Sequence, residues 1–117
     1  MIFCQDHNDC QGCKITACDN RPKRRGEDEI MSLAEAAVAQ LNLPKNLAKG
    51  GWESCEYIFL STKLDEETAE LHNEIFNYWT NPTPENRKRV REEAGDVVNI
   101  VMMLADKCGA LKEEETE

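Results

Sequence analysis

The chain has 117 residues, one domain's worth, with 14 Lys and Arg against 23 Asp and Glu and a formal net charge of −9. That acidity argues against a general nucleic-acid binder, whose phosphate contacts need basic surface, but not against a nucleotide binder, because carboxylates reach phosphates through a divalent cation. No stretch approaches the roughly 18 consecutive apolar residues of a membrane span, and Met1-Ile2-Phe3-Cys4-Gln5-Asp6 lacks the basic and apolar regions of a signal peptide, so a cytoplasmic location and no membrane partner are expected.

Residues 1–26 hold four of the six cysteines and show no helical period. Cys4, Cys10, Cys13 and Cys18 follow the spacing C-x5-C-x2-C-x4-C, with His7 between the first two. In a reducing compartment such a cluster is not a disulfide framework. Three readings stay open: a closed structural Zn²⁺ site, an iron–sulfur cluster, or unmetallated or redox-active thiols. The basic run Arg21-Pro22-Lys23-Arg24-Arg25-Gly26 that follows is a solvated linker or a contact for an acidic surface of a partner subunit or for nucleic acid.

Residues 27–117 form a second region, rich in Glu, Ala, Leu and Val, that reads as helices. The first helix is expected from about Asp28 to Leu41. Its stripe is Ile30, Ala34, Ala37, Val38 and Leu41, with acids at the start where the helix dipole favours them and Pro44 just beyond the end. After the Lys49-Gly50-Gly51 break, a second helix is expected from about Glu53 to Trp79 on the stripe Tyr57, Leu60, Leu64, Leu71, Ile75 and Tyr78. Thr83 is a suitable N-cap and Pro84 a suitable first residue for a third helix running to about Cys108. Val90, Ala94, Val97, Val101, Leu104 and Cys108 make its heptad-like seam, and Gly109 is a natural terminator. Cys55 and Cys108 read as small buried hydrophobes. No segment alternates as a strand does, so the fold class is all-α: a helical bundle preceded by a short Cys-rich irregular segment.

Two carboxylate clusters lie where helices bury themselves. Glu67, Glu70 and Glu74 share one face of the second helix, and Glu67 interrupts its apolar stripe between Leu64 and Leu71. On the third helix Glu93 and Asp96 flank the Ala94/Val97 seam, and Asn99 continues that edge. Four like charges in a half-buried groove must protonate or bind cations, and oxygen donors select Mg²⁺ or Mn²⁺. A di-iron bundle would need Glu-x-x-His pairs, which His72 does not supply, since Ala69 stands three residues before it.

The clusters spell ExxE, Glu67-Thr68-Ala69-Glu70, and ExxD, Glu93-Ala94-Gly95-Asp96, with 22 residues between Glu70 and Glu93. This ordered pair resembles the all-α NTP pyrophosphohydrolase superfamily, and its MazG-like branch most closely. Trp52-Glu53-Ser54 at the helix entry, Glu92-Glu93-Ala94-Gly95-Asp96-Val97-Val98 and Ala105-Asp106-Lys107-Cys108-Gly109 agree with it, over about residues 28–112. The resemblance implies a helical bundle assembled as a homodimer or homotetramer. It implies Mg²⁺-dependent hydrolysis of a nucleoside triphosphate to monophosphate and pyrophosphate, with Glu67, Glu70, Glu93 and Asp96 as metal ligands. Metal-activated water would attack the α-phosphorus, with Glu66 or Glu74 accepting its proton. Lys63 and Arg89 lie four residues before Glu67 and Glu93, and either touch phosphate or form intrahelical ion pairs. Asn99 is a further substrate contact, and Trp52, Tyr78 and Trp79 either stack on a base or pack in the core. The alternative is a non-catalytic helical dimer with a zinc module that binds nucleotide or a protein partner. In either case the apolar stripes exceed what one short first helix can cover, which points to a second subunit.

Overall fold

The computed structural model describes residues 26–112, and the N-terminal cysteines lie outside them. Contacts divide the chain into two units, Met1–Met31 and Ser32–Glu117; all packing described below belongs to the second. Among the described residues every element is helical: α1 Glu27–Leu41, α2 Pro44–Leu47, α3 Tyr57–Thr80 and α4 Pro84–Lys107. No helix among them is long and apolar enough to cross a membrane.

The long helices α3 and α4 form an antiparallel pair because only Asn81, Pro82 and Thr83 separate them. The turn is set by side-chain chemistry. The Thr83 hydroxyl accepts the Asn86 N–H at 3.0 Å, satisfying one of the donors that a helix start leaves free. Pro84 occupies the first turn, where its missing N–H costs nothing. At the other end Gly109 takes φ +75°, and two bonds, Ala110 N–H to Ala105 C=O and Gly109 N–H to Asp106 C=O, both 2.9 Å, close the helix.

The segment of α1 from Ser32 onward crosses α4 at a point where both helices are small. Ala36 and Ala37 are buried, and a Cβ placed on Gly95 would stand 3.0 Å from the Ala36 carbonyl carbon and oxygen. The two backbones therefore touch there, and only glycine fits. Polar bonds hold the crossing in register. The buried Asn99 amide donates to the Ala37 carbonyl at 2.9 Å, and Arg91 donates to Ser32 Oγ at 2.9 Å and to its carbonyl at 3.2 Å.

Several sequence expectations change. The second long helix begins at Tyr57, the first residue of its apolar stripe and four residues later than the expected start at about Glu53. Residues 50–56 are instead held by tertiary bonds: Trp52 Nε1 donates to Asp106 Oδ2 at 3.0 Å, and Lys107 Nζ donates to the Glu53 carbonyl at 3.0 Å. Pro44 does more than stop α1, since it opens the single turn α2, and the Asn46 amide ties that turn to the Gln40 carbonyl at 2.7 Å. Cys55 lies ahead of α3 and is half-buried, while Cys108 caps α4 and is exposed, so neither is the buried helical residue expected. On α4 the buried positions are Gly95 and Asn99, and Val101 of the expected seam is 48% exposed. The periodic stripe marks apolar area, whereas close backbone approach at the α1 crossing decides which turn of α4 is covered.

Candidate metal centre

The carboxylates converge between α3 and α4. Donor oxygens of Glu67, Glu93 and Asp96 lie within 4.8 Å of one another, all three residues being half-buried. The antiparallel pairing produces this: Glu67 falls beside Leu64 and Leu71 on the inward face of α3, and Glu93 and Asp96 share one edge of α4. Glu70, the fourth expected ligand, is exposed and lies outside this group of three, although its charge acts on both Glu67 and Glu93.

Electrostatics register the crowding. Burial, and then the negative charges of Asp96, Glu70 and Glu67, push the Glu93 carboxyl from 4.5 up to about 7. Glu67 is raised too, first by burial and then by Glu70 and Asp96, with Lys63 opposing. Oε1 of Glu67 and Oε1 of Glu93 are buried with no hydrogen-bond partner. Unpartnered buried oxygens in such a cluster are costly, and a cation satisfies them. The donor set is all carboxylate oxygen, with no imidazole or thiolate, which suits a hard divalent ion. Glu67, Glu93 and Asp96 thus fit Mg²⁺ or Mn²⁺.

One contributor was not read from the sequence. Gln40 of α1 donates its side-chain amide to Asp96 Oδ1 at 3.2 Å, which orients that carboxylate. Nothing in the periodicity of α1 distinguishes Gln40 from a solvated residue, because the crossing alone brings it to Asp96.

The remaining candidates are dispersed. Glu74 lies one turn beyond Glu70 on α3, and its Oε1 is buried and without a partner. Glu66 is exposed and pairs with Lys63 at 3.3 Å. The ion pair of Lys63 is therefore with Glu66 rather than Glu67, although its charge still acts on Glu67. Across the helix pair the charge of Asp96 acts on Glu67 and that of Glu70 on Glu93, while Arg89 is exposed. Asn99 spends its amide on the Ala37 carbonyl, and Trp52 sits with Asp106, ten residues or about 15 Å along α4 from Asp96. Both positions are accounted for by packing. Tyr78 is half-buried and Trp79 exposed, their rings edge to face at 5.8 Å between centroids.

No family model, curated protein or solved structure matches this chain. The functional reading therefore rests on the sequence resemblance and on the site's own chemistry.

Proposed function

We propose that the chain is a Mg²⁺-dependent nucleoside triphosphate pyrophosphohydrolase of the MazG-like all-α kind, releasing monophosphate and pyrophosphate. The observation that carries the reading is the convergence of Glu67, Glu93 and Asp96 within 4.8 Å, two of them presenting buried, unpartnered oxygens. When bound, the divalent ion supplies positive charge for the triphosphate and acidifies a coordinated water. The chain's own residues do the rest. Glu67, Glu93 and Asp96 hold the ion, Gln40 fixes the orientation of Asp96, and Glu70 completes the acidic rim. Glu74 is the better proton acceptor of the two candidates, because its buried oxygen is unengaged whereas Glu66 is drawn to Lys63 in solvent. Arg89, exposed and unpaired among the described residues, is available to phosphate oxygens.

The test is a screen of canonical and modified NTPs and dNTPs with Mg²⁺, resolving the products. Monophosphate plus pyrophosphate is expected. Release of diphosphate and orthophosphate would refute the reaction, and nucleotide binding with no turnover would leave the non-catalytic alternative in its place.

A further inference from the structure

The part of α1 from Ser32 to Leu41 is held on α4 by little apolar surface. Among the described residues of α1 only Ala36 and Ala37 are buried, and Val38 is 53% exposed. Close backbone approach at Gly95 and polar bonds to three α4 side chains do the rest. Arg91 reaches Ser32 at one end, Asn99 reaches the Ala37 carbonyl in the middle, and Gln40 reaches Asp96 at the other end. A helix so attached belongs to the low-stability part of a fold, able to open while the α3–α4 pair persists.

The last of these bonds is unlike the others, because it ends on a residue of the metal centre. Gln40 Nε2 donates to Asp96 Oδ1 at 3.2 Å, and Asp96 brings a donor oxygen within 4.8 Å of those of Glu67 and Glu93. Gln40 stands in the final turn of α1, and that turn is itself braced, since the Asn46 amide of α2 donates to the Gln40 carbonyl at 2.7 Å. An N–H on one oxygen fixes the plane of a carboxylate and leaves its remaining lone pairs for a cation. Loss of such a partner behind a ligand weakens metal binding by about 10–100-fold. Coupling of this kind is reciprocal: whatever factor a docked α1 adds to the hold on the ion, the ion adds to the docking of α1.

We propose that α1 is a clasp on the metal centre, its docking on α4 coupled through the Gln40–Asp96 bond to occupation of the site, a coupling that rests on the metal reading of Glu67, Glu93 and Asp96. With the ion bound, residues 32–41 open less often; without it, α1 releases more readily and Asp96 loses its support. Gln40 is thus a positioning residue that acts through Asp96. The bonds of Arg91 and Asn99 end on no ligand, so they hold α1 with or without the ion, and the metal-dependent part passes through Gln40.

Mn²⁺ titration followed by electron paramagnetic resonance, and amide exchange of residues 32–41 followed by mass spectrometry, test it on the full chain without nucleotide. Gln40→Met keeps the length of the side chain and removes its N–H. Its Mn²⁺ dissociation constant should rise about 10–100-fold over native. Saturating Mn²⁺ should slow exchange of residues 32–41 in the native chain by that same factor, to within about threefold, and leave exchange in Gln40→Met unchanged. Gln40→Asn carries an amide one methylene too short and should behave like Gln40→Met, with helicity by circular dichroism native in both. Exchange that the substitutions speed equally with and without Mn²⁺ would mark Gln40 as merely structural and overturn the proposal. So would native Mn²⁺ affinity in Gln40→Met, or exchange in the native chain that Mn²⁺ leaves unchanged. A native chain that binds no Mn²⁺ would remove the metal centre and the coupling together, whereas Mn²⁺ binding with an indifferent α1 overturns the coupling alone.

Discussion

Replacing Glu93 by Gln offers the sharpest check on the acidic site, because its effect changes with pH. The folded chain holds the Glu93 carboxyl at about 7, against 4.5 when unhindered. A raised folded value means that between pH 4.5 and 7 the folded protein keeps a proton the unfolded chain has lost. Its stability from this group is therefore greatest below pH 4.5 and declines as pH climbs through 7. Taken whole, the displacement amounts to roughly 3 kcal/mol. Glu93 is only half-buried, and solvent screening brings that to about 1–2 kcal/mol. Gln is nearly isosteric and uncharged, so at pH 8 without metal the variant should be more stable than native by about 1–2 kcal/mol, or roughly 5–10 °C in melting temperature. At pH 4.5 the two should coincide. Added Mg²⁺ should reverse the order at pH 8: the native protein gains ~2.7 kcal/mol at a hundred times its dissociation constant, and the variant gains little. Thermal melts of both proteins at two pH values, with and without Mg²⁺, contain the whole comparison. A variant less stable than native at pH 8 without metal, or one that Mg²⁺ stabilises equally, would refute the reasoning.

Four further outcomes are expected. Glu67→Gln and Asp96→Asn should each nearly abolish Mg²⁺-dependent hydrolysis while circular dichroism stays native, and excess EDTA should silence the unmodified protein; activity surviving either treatment contradicts the metal assignment. Gly95→Ala drives a methyl group into the α1 backbone, and the overpacking, about 1–3 kcal/mol, should exceed the ~1 kcal/mol gained in helix propensity, lowering the urea midpoint. Asn99→Ala removes the buried side-chain bond to the Ala37 carbonyl at the crossing and should cost about 1 kcal/mol in the same titration. We further propose one structural zinc per chain on Cys4, Cys10, Cys13 and Cys18, with His7 able to replace one of them; elemental analysis of protein purified without added metal should find it near stoichiometric, and its absence with readily reacting thiols would refute it.

Much of the helical framework was legible in local chemistry. Thr83 and Pro84 mark the start of α4, and Gly109 its end, through bonds that involve only neighbouring residues, so sequence alone determines them. The carboxylates could be placed on inward faces because Glu67 interrupts an apolar stripe and Glu93 and Asp96 border one, which depends on helical period and nothing longer in range. Tertiary structure decided what lies across space. Gln40 reaches Asp96 and Asn99 reaches Ala37 only because Gly95 lets α1 and α4 touch, a contact between residues almost 60 positions apart in the chain. Trp52 and Glu53 are drawn to Asp106 and Lys107, and that attachment, rather than any local breaker, delays α3 until Tyr57. The different surroundings of Glu66 and Glu74 were likewise invisible in the sequence. Both are glutamates on the same helix, and only the packing of α3 against α4 buries an oxygen of Glu74 while leaving Glu66 in solvent beside Lys63.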